Sequence, residues 1–218
     1  MSESIRVVLV RLCECEGNVK NLACRHGPLT NNGRRQALAT RTRIMSLGIQ
    51  DYFTPDNSAC QETAAILSEE GPVRKANEFR EPPYPKWAGL TFEEVKTKWQ
   101  SEWDRYWEPK PEDADEIIVP EGESLRTTYE RAKCGLDRLH TECSGRGTIV
   151  VVTHGEIVRL LTVGLLGSPL TNLFRLRGRN GAVTIFDYDR QHAVFECIND
   201  TSHLAGLAAR DLSDSPTV

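Results

Sequence analysis

Two short apolar runs, Val7-Val8-Leu9-Val10 and Ile149-Val150-Val151-Val152, constrain the fold of this chain more than anything else in it. Neither run alternates with polar residues. A strand made from either is therefore buried on both faces, the condition of a parallel sheet with helices above and below. Each run stops abruptly in polar residues, Arg11-Leu12-Cys13-Glu14 after the first and Thr153-His154-Gly155-Glu156 after the second. Open α/β sheets bind ligands at the carboxyl ends of their strands, so chemistry is expected at these two exits.

Local signals fill in the rest. Thr30 is an N-cap for a helix over 31–47, with Ala37, Leu38, Ile44, Met45 and Leu47 on its inward face and a stop at Gly48. Residues 49–54 read as a second strand, and Ser58 with Gln61 as the capping box of a helix over 58–69. A third strand, 73–79, leads into Pro82, Pro83 and Pro85, which rule out a regular element. Thr91 and Glu94 cap a helix running to Trp103, and 104–120 is an acidic, aromatic excursion. The helix over 124–142 carries Leu125, Tyr129, Ala132, Leu136 and Leu139 at helical spacing. Thr153 and Glu156 make a further capping box, and 173–176, 182–187 and 193–198 read as strands. The expected fold is a single α/β domain over 1–205, a three-layer αβα sandwich with a mostly parallel central sheet. Residues 80–123 cover the pocket, and 206–218 form a frayed tail.

Several of these segments together resemble the histidine phosphatase (phosphoglycerate mutase-like) superfamily. There a first strand ends in Arg-His-Gly-Glu followed by Gly-Asn, and here Arg11, Glu14, Gly17 and Asn18 hold those places. Residues 28–37 are similar to the family's Pro-Leu-Thr-x-x-Gly-x-x-Gln-Ala segment, and Trp87-Ala88-Gly89-Leu90 to its Trp-x-Gly-Leu loop. Glu81 matches the proposed proton donor before that loop, and His154 matches the second catalytic histidine.

The resemblance implies an active site in which one histidine attacks phosphorus. Two arginines and the second histidine hold the phosphoryl oxygens, and a glutamate protonates the leaving group. The same resemblance places Leu12 where the nucleophilic histidine belongs, and Cys13 at the following glycine. The second arginine falls on Ala59, or on Ser58 with a one-residue slip. Leucine has no lone pair and cannot attack phosphorus. A residual site is left: His154, Glu81 and Arg11 as candidate catalytic groups, with Asn18, Glu14, Cys13, Ser58 and Gly155 as candidate substrate contacts. Helix starts after Ser58 and Thr153 would favour an anion. Three functions stay open at this point. One is a repurposed enzyme that uses Glu81 and His154 as an acid–base pair for elimination, isomerisation, cyclisation or hydrolysis. The second is a pseudophosphatase that binds a ligand or partner without turnover. The third is a phosphatase with a substitute nucleophile, such as a cysteine.

Composition bounds the partners. With 27 basic and 31 acidic residues, net −4 and no basic block, a nucleic-acid footprint is absent. No apolar run is long enough for a membrane span, and the first residues lack the layout of a signal peptide, so a cytoplasmic protein is expected. The expected partner is a small molecule, an anion being compatible with the residual site, and a homodimer is permitted. No cofactor is expected. Seven scattered cysteines suit reduced thiols. Cys13, Cys15 and His154 have the right atoms for zinc, but a Cys-x-Cys pair alone is a weak signal and the family uses no metal. Elemental analysis of protein purified without added metal should therefore find no stoichiometric zinc. Finding it would rebuild the site around those three residues.

Overall fold

The computed structural model describes residues 4–23, 27–144 and 147–207. The expected tail from 208 onward lies outside the described residues. The sheet has six strands in the order β3-β2-β4-β1-β5-β6. They are β1 (Ile5–Arg11), β2 (Ile49–Thr54), β3 (Val73–Lys75), β4 (Thr148–Thr153), β5 (Val183–Tyr188) and β6 (Ala193–Asp200). β1 pairs parallel with β4, and β2 pairs parallel with both β4 and β3. β5 runs antiparallel beside β1 and β6 antiparallel beside β5.

The two apolar runs occupy the centre of this sheet, and their alternate residues feed two different layers. Val7, Leu9, Ile149 and Val151 pack against Ala132, Leu136 and Leu139 of the helix Leu125–Cys143 and Ile157 and Leu161 of the helix Gly155–Leu165. Val8, Val10, Val150 and Val152 pack on the other side against Ala37 and Ile44 of the helix Asn31–Ile44 and Ala64 and Leu67 of the helix Ser58–Leu67. The three-layer αβα sandwich follows from this two-sided burial. In chain order the helices are α1 (Glu16–Val19), α2 (Asn31–Ile44), α3 (Ser58–Leu67), α4 (Phe92–Lys98), α5 (Gln100–Trp107), α6 (Leu125–Cys143) and α7 (Gly155–Leu165).

The helix starts at Thr30, Thr91 and Ser124 form as expected, each hydroxyl accepting from a backbone N–H three residues on. Elsewhere the structure corrects the expectation. α3 is capped by Asn57, whose carboxamide oxygen accepts from the Ala59 and Cys60 amides, so Ser58 is the first helical residue rather than the cap. The inward face of α2 carries Gln36 and Thr40 beside Ala37 and Ile44, while Leu38 and Met45 are exposed. Those polar residues face inward because they satisfy backbone: Gln36 Oε1 accepts from the Glu14 amide and the Thr40 hydroxyl reaches Gly181 O. The third strand is only Val73–Lys75, continuing as a 3₁₀ turn over Asn77–Phe79. Trp99 leaves the helical region at φ −132° and ψ 46°, which divides the expected helix into α4 and α5. The segment read as a strand at 173–176 is a 3₁₀ turn, Leu170–Arg175. Its Leu170 and Leu173, spaced for 3₁₀ geometry, bury against Leu160 and Val163.

Residues 84–107 are organised by aromatic contacts. Tyr84, Trp87, Trp103 and Tyr106 share one buried cluster with Val95, Ile118 and Val119. Tyr84 and Tyr106 meet edge to face at 5.6 Å between centroids, and Trp87 and Tyr106 do so at 5.3 Å, arrangements that suit the ring quadrupoles.

The start of α2 is pressed onto the exit of β1. The Thr30 amide donates to Glu14 O, and a Cβ on Gly33 would stand 1.9 Å from that same carbonyl oxygen. Gly33→Ala should therefore destabilise the fold by at least about 1–3 kcal/mol through overpacking, lowering Tm by roughly 2–4 °C per kcal/mol in a chain of this size. Thermal unfolding followed by circular dichroism checks this. An unchanged midpoint would show that the strand exit yields freely.

Candidate active site

Parallel pairing brings the two exits side by side, with Arg11 opposite Thr153 in the register. Arg11 is almost fully buried at 4 % exposure, and its guanidinium Nη1 donates to Gly178 O. Such burial is tolerable only with hydrogen-bond acceptors in reach. Gly155 makes room for it: a Cβ there would come within 3.0 Å of Arg11 Cδ and Nε. Leu12 follows, its amide bonded to Thr153 O at 2.8 Å and its carbonyl to Asn180 Nδ2 at 2.9 Å. Its side chain lies in the apolar cluster with Val10, Ala59 and Cys60.

The next residues turn into the loop rather than outward. The Cys13 amide donates to Thr63 Oγ1. Burial pushes the Cys13 thiol up to about 12, against opposing pulls from Thr63 and Arg11. The Glu14 carboxylate accepts from the Thr30 hydroxyl at 2.6 Å. Asn18 Oδ1 accepts from the Cys15 amide at 3.1 Å and from Asn180 Nδ2 at 3.1 Å, tying α1 to the loop before β5. Ser58 is exposed at the start of α3.

His154 is the N-cap residue of α7 and is 2 % exposed. Its Nε2 lies 3.6 Å from Cys60 Sγ and its Nδ1 3.8 Å from Glu81 Oε1. Glu81 reaches it from the segment after Phe79, which is anchored because Thr153 Oγ1 donates to Phe79 O at 2.5 Å. The Glu81 side chain is 19 % exposed against 3 % for that of His154, so the carboxylate is the more open of the two. The structure thus brings together His154 and Glu81, sets Arg11 against Gly155 beside them, and leaves Ser58 on the surface. Among the described residues no group of three or more His, Cys, Asp or Glu is placed to hold a metal ion, and no disulfide joins the described cysteines.

Sequence reasoning missed the partner set of Glu156. Instead of closing a capping box with Thr153, its carboxylate is buried and accepts from Tyr84 at 2.6 and 2.7 Å and from Tyr106 at 2.9 Å. Burial raises its pKa above the ordinary 4.5, and the Tyr84 hydroxyl and Arg159 hold it down. A carboxylate directly ahead of the apolar Ile157 and Val158, in a helix otherwise rich in Leu and Val, was the available signal.

A description of the histidine phosphatase superfamily, branch 1, matches residues 7–201, and the chain belongs to that superfamily. Its relatives are phosphatases and mutases. It is 24% identical over 204 residues to phosphoserine phosphatase 1 of Hydrogenobacter thermophilus, covering 92% of this chain and 94% of that protein. It is 27% identical over 198 residues to a 2,3-bisphosphoglycerate-dependent phosphoglycerate mutase of Mesorhizobium japonicum, covering 86% and 94%. Among solved structures, Bacillus stearothermophilus YhfR superposes with a TM-score of 0.83 at 24% identity, over 92% of this chain and 99% of that one. No helix among the described residues is long and apolar enough to cross a membrane.

The Glu156 network gives a pH signature. A carboxyl whose folded pKa is raised loses stability as pH climbs from its ordinary 4.5 through the folded value, because folding then confines a charge. Tyr84 donates to that charge, so Tyr84→Phe should cost most where Glu156 is ionised. Urea unfolding should show a loss of about 1.5–3 kcal/mol at the alkaline end of a pH series and a smaller one at the acid end. A loss that does not grow anywhere along a pH series begun below 4.5 would contradict a Glu156 whose pKa is raised by burial.

Proposed function

We propose that this chain no longer runs phosphohistidine chemistry and works instead as an acid–base enzyme, with Glu81 and His154 moving a proton on a small, anion-compatible substrate. One observation carries this reading: Glu81 and His154 face each other at 3.8 Å while the residue after Arg11 is an apolar leucine packed into the core. A proton donor and acceptor 3.8 Å apart, the carboxylate the less buried of the two, suit elimination, isomerisation, cyclisation or hydrolysis alike. Arg11 supplies positive charge at the same strand exit, and Asn18, Glu14, Cys13, Ser58 and Gly155 are its candidate neighbours for the ligand. A substitute cysteine nucleophile is disfavoured because burial keeps the Cys13 and Cys60 thiols protonated. The protein is read as cytoplasmic and cofactor-free, with a small molecule rather than nucleic acid or membrane as partner, and homodimerisation compatible.

A second reading, a pseudophosphatase that binds without turnover, is favoured by the packing of the exit: Arg11, Leu12, Cys13 and His154 are all nearly inaccessible. Kinetics separates the two. Hydrolysis of p-nitrophenyl phosphate and sugar phosphates should stay at background in the wild type and appear in the Leu12→His, Cys13→Gly, Ala59→Arg variant. Robust wild-type turnover that survives Cys13→Ala would sink the proposal. With a substrate supplied by metabolite profiling of a deletion strain, His154→Ala and Glu81→Gln should each lower the rate on the order of a hundredfold or more, with thermal stability nearly unchanged. If both variants keep full turnover, the chemistry lies elsewhere.

A further inference from the structure

Cys60 is the third residue of α3, fully buried, and its sulfur stands 3.6 Å from His154 Nε2, within reach of a sulfur hydrogen bond. The opposite ring nitrogen, Nδ1, stands 3.8 Å from Glu81 Oε1. A neutral imidazole carries one N–H and one bare nitrogen, and its neighbours decide which is which. Burial above all, then the Glu81 carboxylate and the Cys15 and Cys13 thiols, pushes the Cys60 thiol well above its ordinary range, with the Thr54 hydroxyl opposing weakly. A thiol that stays protonated offers S–H to the nitrogen it faces, which must then be the bare one. On the far side, an N–H at Nδ1 meets the Glu81 oxygen favourably, whereas a lone pair there would face negative charge. Both neighbours select the same tautomer.

We infer that Cys60 is a positioning residue: its thiol donates to His154 Nε2 and holds the imidazole in the Nδ1–H tautomer, with that proton directed at Glu81. The inference rests on the acid–base reading and deepens it. Glu81, the more open group, meets the substrate: its carboxylate takes the substrate's proton and later returns it, while the His154 Nδ1–H stays directed at that carboxylate and the ring remains neutral. Cys60 touches neither substrate nor reacting atoms and acts only through the ring. A thiolate–imidazolium pair, the arrangement of a cysteine nucleophile, would instead carry N–H on both nitrogens.

Nitrogen-15 shifts of the histidine rings distinguish these states in substrate-free protein, since a protonated ring nitrogen resonates far upfield of a bare one. The His154 signals are assigned by their loss in His154→Gln. Above the titration of the ring, the wild type should show a protonated Nδ1 and a bare Nε2. Cys60→Ala should lose that preference, both signals moving toward the average of two tautomers, and Cys60→Ser, whose hydroxyl can donate, should restore it. A bare Nδ1 or two protonated nitrogens in the wild type would overturn the inference, as would a Cys60→Ala ring identical to wild type. Should Cys60→Ala fail to fold, the wild type and Cys60→Ser decide, the inference standing only if both show Nδ1–H. Because no substrate is needed, a wrong tautomer removes this inference alone. A correct tautomer combined with full turnover in Glu81→Gln removes the acid–base reading alone.

Discussion

The parallel pairing of β1 with β4 is the constraint on which everything else here depends. It aligns Arg11 with Thr153, and so sets the residues that follow each strand at one edge of the sheet. From that alignment come the passage of Arg11 over Gly155, the hydrogen bond of Leu12 to Thr153, and the position of His154 at the head of α7. The pairing is itself a consequence of unbroken apolar runs, which find enough burial only at the centre of a two-sided sheet.

On that scaffold Leu12 and Ala59 put apolar side chains at the strand exit. Stabilising a transferred phosphoryl group calls for fixed cations and donors around its oxygens, and attack on it calls for a basic, accessible nucleophile. Leu12, Ala59, Cys13 and Cys60 offer neither, and they pack together instead. Beside them a carboxylate and an imidazole stand 3.8 Å apart, with the buried Arg11 guanidinium at the same strand exit. Glu156 plays a supporting part from two residues along, where hydroxyls from the aromatic segment hold its carboxylate.

Much of this was legible in the sequence, for identifiable reasons. The central strands show because their apolar runs are unbroken, and the starts at Thr30, Thr91 and Ser124 because each hydroxyl has its own helix amides as nearest partners. Parallel topology accounts for Arg11 lying opposite Thr153, whereas the approach of Glu81 to His154 joins segments that only the family resemblance had linked. What sequence could not show depends on competition in three dimensions. Asn57, one residue ahead of Ser58, takes the cap of α3, and two tyrosines distant in sequence draw Glu156 away from the Thr153 turn. Buried Gln36 and Thr40 displaced Leu38 and Met45 from the inner face of α2, since backbone groups of other segments needed their hydrogen bonds. The sulfur–imidazole contact of Cys60 likewise joins residues that no local pattern links.

The central claim is that no covalent phosphoryl intermediate forms at the β1 exit. Intact-mass spectrometry under alkaline quench, which preserves phosphohistidine, tests it directly after incubation with excess p-nitrophenyl phosphate. The account predicts an unmodified wild-type mass and a phosphoryl adduct in the Leu12→His, Cys13→Gly, Ala59→Arg variant. A stoichiometric phosphoryl adduct on the wild-type chain would contradict it.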